Sequence, residues 1–568
     1  MLLLKLVFWI GLALVLPHSS HQSCSEESLK QCLQAEFAPG TNLGGQGFDV
    51  TKMEITDTYV IDMNDWIHKD KTCTLCSNPY LDNKKQKLPL AVTTWTAKHS
   101  CSTKVSSQLH KTSTSLLVSN SKAILNSWNN SLSIPIKEAT VNLMLAGTNS
   151  KVATYSAEKT KTDKYIFSSQ SVSCQYYSYT ISKSPKLHKD FQQAIKQLPK
   201  NYTATTKKDF YKLIENFGTH YFTQVNIGGS VQAVTSIREC QPQLQGLSLE
   251  EVEMCLQAEG SVTLEATVSA LLKHCKKDQE MMEGHQSFAD MYNDRLTEIR
   301  GGHTSDPDLL FSAQKDPSAY KEWLNSLPQH PDVISYSLES LHMLLPSKDP
   351  SHSNLRSAIS HYILERGLWK NCSAPCPAGV KTDPRDPCVC QCHNNAGVNQ
   401  DCCPTQRGIA QVAITVQRAE KIWGDTHSES DGYVKVFIDK KQIFATRYIR
   451  DNNNPVWDHE VNLGTMDLSS GYELHFEVWD RDNGWNDDFL GGCTRKLTSG
   501  VGEDVCTLQY GQLFFKLQVE CAPSLTGQLC TDYAPTPMNP TLKGWFKSRD
   551  AHPVPEALLQ KWGVFKDG

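Results

Sequence analysis

Hydrophobic positions along this chain follow two periods. Strict alternation marks half-buried strands. Over 139–147 it puts Val141, Leu143 and Leu145 on one face, and 165–181 reads as a long strand. Over 261–270 Val262, Leu264, Ala266, Val268 and Ala270 alternate with polar residues. The spacing predicts strands again at 411–416, 433–438 and 473–479, separated by turn residues, as in an antiparallel β-sandwich. Between them lie segments of helical period. The stretch 273–300 is charged and carries Met281 and Met282. The stretch 308–370 is read as helical, with Tyr320, Trp323, Leu324 and Leu327 on one face and Leu355, Ile359, Tyr362, Ile363 and Leu368 on another. The pattern is that of a multidomain α+β chain.

Composition narrows this reading. With 568 residues, 39% of them hydrophobic and 21% charged, the chain is globular and long enough for several domains. A net charge of -5 excludes an electrostatic footprint for nucleic acid. Residues 1–20 read as a secretory leader: Lys5, an apolar run from Leu6 to Leu16, then a polar stop. No other stretch reaches the roughly 18 apolar residues of a transmembrane helix. Behind such a leader, 20 cysteines imply disulfides. Cys24, Cys32, Cys73 and Cys76 can staple the first segment. Cys493, Cys506, Cys521 and Cys530 suit local bridges near the end. Between these lies a dense block, Cys372, Cys376, Cys388, Cys390, Cys392, Cys402 and Cys403. Its count is odd, so one cysteine is expected to bond outside the block. Its Cys-x-Cys-x-Cys run could hold a metal cluster, but an oxidising compartment favours bridges. Asn129, Asn201 and Asn371 begin glycosylation sequons.

One stretch organises the rest. Phe217-Gly218-Thr219-His220-Tyr221 opens a short alternating strand that Gly228-Gly229 closes. Glycine weakens a strand unless the backbone must bend or pack very close, so a bent sheet is expected. This stretch resembles the signature of the membrane-attack-complex/perforin (MACPF) family. The resemblance implies a bent antiparallel central sheet flanked by two helical clusters that unfurl into two β-hairpins per subunit. The clusters map to about 126–165 and 254–300. It makes Val141, Leu143, Leu145, Val262, Leu264 and Val268 candidate membrane-inserting positions. Gly218, Thr219, His220, Gly228 and Gly229 become the hinge at the bend, with Gly301-Gly302-His303 as a second hinge. The alternation alone would equally describe soluble strands. A membrane strand needs about 9–11 alternating residues, and only a closed barrel satisfies its backbone, so insertion requires many copies side by side.

The cysteine block resembles an epidermal-growth-factor-like (EGF-like) module. Residues 408–522 resemble a C2 calcium/phospholipid-binding domain, through Val478-Trp479-Asp480-Arg481-Asp482, through Asn452 to Trp457, and through Asp487-Asp488-Phe489-Leu490-Gly491. Calcium takes six to eight hard oxygen ligands. The resemblance implies Asp425, Asp431, Asp480, Asp482 and Asp488 as ligands, with Asp487, Gly424, Ser428 and Glu429 as loop candidates. Asn486 stands where an acidic residue is expected. Trp423 and Trp485 would meet the membrane. The domains are read as 1–20 leader, 21–370 MACPF, 371–407 EGF-like, 408–522 C2 and 523–568 a tail without an assigned role. Together the resemblances imply a secreted, granule-stored cytolytic protein. It would bind target-membrane phospholipid through Ca2+, assemble into a ring of its own copies and admit granzymes through the pore. Rival readings are a complement-type MACPF chain, a non-lytic calcium-dependent membrane binder, and a secreted enzyme. No Gly-x-Ser-x-Gly or His-Glu-x-x-His motif supports the last.

Overall fold

The computed structural model describes residues 24–134, 143–262, 264, 269–279, 287–311, 317–369, 376, 380–384, 390–392, 397–424, 426–482, 486–535 and 551–565. The leader at 1–20, Val141, Val268, Asn371, Cys372, Cys388, Asp425 and Trp485 lie outside the described residues.

The first core is built on an antiparallel sheet. Its strands are β1 (Gln46–Asp49), β2 (Glu54–Tyr59), β3 (Val92–Cys101), β4 (Ser106–His110), β5 (Tyr165–Ile181), β6 (His220–Arg238), β7 (Arg295–Arg300) and β8 (Asp332–Ser340). The expected long strand at 165–181 is β5. The two longest strands pair with each other from Gln224 opposite Thr180 to Arg238 opposite Tyr165. Their outer neighbours are interrupted. On β6, β8 ends with Asp332 opposite Gly228, and β7 starts with Arg300 opposite Ser230. On β5, β3 ends with Cys101 opposite Cys174, and β4 starts with Ser106 opposite Ser171. The β5–β6 ladder itself shifts register between Ile227 and Gly228. All three interruptions fall at one level, and such bulges bend strands and increase their twist.

Glycines make this level possible. A Cβ on Gly228 would stand 1.9 Å from the Cys174 carbonyl oxygen, and one on Gly301 would stand 2.3 Å from the Gly228 carbonyl oxygen. Helix α1 (Pro317–Ser326) plugs the same spot. Its fully buried Trp323 occupies the space that side chains on Gly229 and Gly302 would need, and its indole Nε1 donates to the Gly301 carbonyl at 2.8 Å.

Two insertions interrupt the sheet. Residues 111–164 join β4 to β5 and form α2 (Ser113–Asn120) and α3 (Lys151–Thr160). Each has a side-chain N-cap, Thr112 and Ser150 respectively. Residues 239–294 join β6 to β7 and form α4 (Leu249–Val262) and α5 (Ser269–Gln279). Here Leu249, Val252 and Leu256 pack with Ile166, Ile237 and Phe288, and Cys255 is bridged to Cys275.

These insertions correct several sequence expectations. In the alternating stretch 261–270 the described residues form no strand: Val262 ends α4, Leu264 lies in a turn and α5 starts at Ser269. Packing of the helical stripe through Val252 and Leu256 prevails over the alternation. The helical reading of 273–300 stops short, because 295–300 is β7. The helical reading of 308–370 misses β8, which supplies Val333, Tyr336 and Leu338 to the core. Leu143 forms only a two-residue strand with Met144, paired to Leu368–Trp369, and Leu145 is buried.

The second core is an eight-stranded sandwich. One sheet contains β9 (Ile409–Glu420), β12 (Val456–Asp467), β15 (Gly500–Thr507) and β16 (Gln512–Cys521), in the order β12-β9-β16-β15. The other contains β10 (Gly432–Ile438), β11 (Lys441–Ala445), β13 (Glu473–Asp480) and β14 (Asp488–Lys496), in the order β11-β10-β13-β14. Phe476 and Phe515 stack between the sheets with ring centroids 4.2 Å apart.

Disulfides tie the parts together. Cys24–Cys76 and Cys32–Cys73 staple the first segment, and Cys101–Cys174 crosses the sheet. Cys376–Cys390 and Cys392–Cys402 hold the small module, while Cys493–Cys506 and Cys521–Cys530 are local. The cysteine expected to bond outside the block is Cys403, bridged to Cys240 just beyond β6. Nearby, Lys164 pairs with Glu239 at 2.6 Å, both buried, and donates to the Asp401 carbonyl at 2.5 Å. Tyr533 donates to Asp163, and the Arg238 guanidinium lies 5.6 Å from the Tyr533 ring centroid. The tail also docks on the first core. His552–Pro553 pairs with Leu368–Trp369, Val554 and Val564 are buried, and Lys207 donates to the Phe565 carbonyl at 3.0 Å.

Three buried histidines give the first core a pH dependence. Burial holds His220 down to about 3, and His110 and His342 to about 4. Unfolded, each titrates at its ordinary 6.5. Their neutral forms favour folding, so this stability is present above pH 6.5 and is lost as pH falls toward those lowered values. Each histidine contributes at most about 1.4 kcal/mol of loss per pH unit. The melting temperature of calcium-free protein is therefore expected to fall steadily between about pH 6.5 and pH 5. A flat profile there would remove these histidines from the account.

Candidate functional site

The acidic loops converge at one end of the sandwich. Gly432 opening β10, Asp480 ending β13 and Asp488 opening β14 are direct cross-strand neighbours. The loops 421–431 and 481–487 therefore rise from adjacent strand ends. Asp480 is buried, with 1% of its surface exposed, Asp431, Asp482 and Asp487 are half-buried, and Asp488 is exposed.

Hydrogen bonds fix the geometry. The Asp431 N–H donates to Asp480 Oδ1 at 2.6 Å, and the Asp451 N–H donates to Asp431 Oδ1 at 2.9 Å. The Tyr433 hydroxyl donates to Asp487 Oδ2 at 2.6 Å. Burial first, then that bond and the charge of Asp487, push the Tyr433 phenol well above its ordinary value, so it stays a donor. Gly424 donates its N–H to the buried Ser430 hydroxyl at 3.0 Å, and a Cβ on Gly424 would stand 2.2 Å from Asp480 Oδ2. Glycine thus opens a cradle directly beside a buried carboxylate. The donors facing this cradle are hard oxygens, the set a calcium ion takes, and a calcium ion fits their chemistry. Ser428 and Glu429 lie on the exposed stretch of the same loop, and Asn486 is exposed.

Apolar side chains surround the loops. Trp423 is 47% exposed beside Tyr510, and Phe489 is 46% exposed against Trp479. Such aromatic side chains suit a membrane interface. Sequence reading found Trp423 but passed over Phe489 and Tyr510. It also missed Ser430 and Tyr433, which orient the loops. Position two residues from an acidic residue at a strand end was the available signal for Tyr433.

At the sheet, the signature residues separate into two groups. Gly228 and Gly229 sit at the interruption. Gly218, Thr219 and His220 sit instead at the start of β6. Gly218, at φ +83°, crosses the Phe48 backbone, and a Cβ there would meet it at 2.6 Å. His220 is buried, with Nε2 donating to the Trp128 carbonyl at 3.3 Å and Nδ1 lying 2.8 Å from the Thr219 hydroxyl. This corrects the expectation of His220 at the bend: its hydrogen bonds anchor the strand's beginning. Gly301 and Gly302 do join the bend, as described above. Of the sequon residues, Asn201 is exposed and Asn129 is half-buried.

Comparison with known proteins finds three domain profiles in the chain. The MAC/Perforin domain profile matches residues 37–370, a Perforin-1-like EGF domain profile matches 371–405, and a C2 domain profile matches 410–510. Perforin-1 of Rattus norvegicus is 38% identical over 535 residues, covering 93% of this chain and 96% of the relative. Perforin-1 of Homo sapiens is 39% identical over 518 residues, covering 90% and 93%. The complement component C8 alpha chain of Oryctolagus cuniculus is 26% identical over 211 residues, covering 35% of each chain. The similarity to the complement chain is thus confined to part of the molecule, whereas that to Perforin-1 runs through all three domains. The chain belongs to the MAC/perforin family, with the MACPF, EGF and C2 domains of a perforin.

Proposed function

We propose that this protein is a secreted, calcium-dependent pore former that attaches to phospholipid through its C2 loops, assembles into a ring and inserts two β-hairpins per subunit. The observation that carries the proposal is the placement of the insertions. Residues 111–164 and 239–294 each connect two strands already linked through the sheet, β4 with β5 and β6 with β7. Melting either helical insertion leaves an antiparallel ladder ready to extend. One hairpin leaves backbone groups unpaired in lipid, so insertion needs a closed ring of copies.

At the C2 end, Asp431, Asp480, Asp482, Asp487 and Asp488, together with Asp425, would hold calcium. Calcium held there would supply the positive charge that turns this acidic end attractive to anionic lipid head groups. Trp423, Trp485, Phe489 and Tyr510 seat the loops in the interface. The ring's lumen would pass proteins such as granzymes, and storage in acidic granules suits a site whose ligands must be deprotonated. No catalytic role is assigned to any residue.

Release of encapsulated dye from phosphatidylcholine/phosphatidylserine vesicles tests the proposal. Release is expected with calcium and not with chelator. Binding with calcium but no release would defeat the pore reading. Proton competition adds a second expectation: in limiting calcium, vesicle binding at about pH 5 falls below that at about pH 7.4. Equal binding at both would exclude carboxylate-held calcium as the attachment device.

A further inference from the structure

We infer that the Cys255–Cys275 disulfide is a register pin for the second hairpin, bridging it at the outer boundary of its membrane-crossing part and staying intact through insertion. This rests on the pore reading above.

The β6–β7 ladder has a constant register. In each pair, from Ser230 with Arg300 to Thr235 with Arg295, the two residue numbers total 530. The Ser236 N–H donates to the Asp294 carbonyl at 2.9 Å, carrying the same total one step further. The numbers of Cys255 and Cys275 also total 530. In the helical insertion this bridge joins α4 to α5. If β6 and β7 extend through the insertion without a slip, the two cysteines arrive directly opposite each other. Ser236 and Asp294 form a hydrogen-bonded pair, so odd-numbered residues fall at non-hydrogen-bonded pairs, where side chains approach more closely. This chain already bridges directly opposed strand residues at Cys24–Cys76 and Cys101–Cys174.

The hydrophobic pattern supports the same register independently. Every even-numbered residue from Leu256 to Leu272 is apolar or glycine. The odd-numbered ones between them are polar except Leu271. An even total pairs even residues with even residues, so both strands turn their apolar side the same way. A one-residue slip would turn one strand's apolar side toward the lumen. The alternation begins just inside the bridge and turns at Glu265. Each arm then has about the 9–11 residues of a membrane strand. Cys255 and Cys275, being odd, fall on the polar, lumenal side.

The first insertion shows the same coincidence without a bridge. In the β4–β5 ladder the paired numbers total 277, from Ser106 with Ser171 to His110 with Phe167. Continued, that register sets Leu132 opposite Leu145, Ile134 opposite Leu143 and Ile136 opposite Val141, all apolar.

The test uses the full chain on calcium-loaded phosphatidylserine vesicles. After dye release, peptide mapping without reductant is expected to recover the Cys255–Cys275 bridge. In parallel, Gln257→Cys/Lys273→Cys, in register, is compared with Gln257→Cys/Leu271→Cys, two residues out. Under mild oxidation in the pore, the first pair is expected to crosslink at least about fivefold more, because diagonal neighbours lie about 7–8 Å apart. Dye release that requires reduction of the native bridge would overturn the inference, as would equal crosslinking of the two pairs. If the variants fail to fold, the mapping of the native bridge still decides. Calcium-dependent binding without dye release from the unaltered protein would overturn the pore reading and this inference with it.

Discussion

Asp480→Asn is expected to abolish vesicle attachment at calcium levels that suffice for the parent protein. Asn keeps an oxygen for the Asp431 N–H, now 2.6 Å from Asp480 Oδ1, so the loop scaffold survives. What it removes is the charge of a carboxylate that is 1% exposed and borders the Gly424 cradle. Loss of a central carboxylate ligand is expected to weaken calcium at least about 100-fold, given how strongly ligand charge tunes such sites. Gly424→Ala should act in the same direction, since its Cβ would stand 2.2 Å from Asp480 Oδ2. Calcium titration of vesicle binding reads both variants. Unfolding of the MACPF core should be unchanged, because that core is separate from the sandwich. Parent-like calcium dependence in Asp480→Asn would exclude Asp480 as a ligand.

The second large effect is expected from Gly228→Ala. Its Cβ would meet the Cys174 carbonyl oxygen at 1.9 Å and the Gln175 Cα at 3.0 Å. Both are backbone atoms of β5, so no side-chain rotation relieves the overlap. The β5–β6 ladder would have to separate at the level where β8 gives way to β7. A loss above about 4 kcal/mol in MACPF stability is expected, an effect of the size reserved for such steric conflicts. Calcium-dependent vesicle binding should persist, because the C2 core shares no residue with this sheet. Dye release should vanish. Differential scanning calorimetry, vesicle sedimentation and dye release together separate the outcomes. Parent-like release from Gly228→Ala would show that the bend tolerates a side chain, and loss of binding as well would mark global misfolding.

Much of this was legible in the sequence, for identifiable reasons. The sandwich strands announced themselves because each alternates a buried face with a more exposed one, and β5 keeps a weaker form of that alternation from Gln170 to Tyr176. The acidic loops were legible because Asp480 closes a strand and Asp482 comes two residues later. Residues 249–272 misled because they carry two periods at once. Leu249, Val252 and Leu256 make a helical stripe, and that stripe is what packs in water. The even-numbered series beyond Leu256 makes a strand face. Alternation was read correctly as a pattern and wrongly as the state described here. The β8 strand was hidden by helical patterns on both sides. Trp323 looked like ordinary core, because nothing local shows that Gly229 inside β6 and Gly301-Gly302 beyond β7 meet around it. Ser430 and Tyr433 were overlooked because they orient the acidic loops without carrying charge.

The Cys240–Cys403 bridge has a mechanical consequence. With the Lys164–Glu239 pair and the Tyr533–Asp163 contact, it clamps the lower ends of β5 and β6 to the EGF module and the segment after the sandwich. Those ends are also where the two insertions begin or finish. The molecule therefore behaves there as a lever with its fulcrum at the clamp. Under the proposed function, seating the C2 loops on a surface would set the height and tilt at which the sheet stands above it. In the proposed ring, neighbouring copies seated on the same plane would arrive with their sheet edges level before either insertion melts.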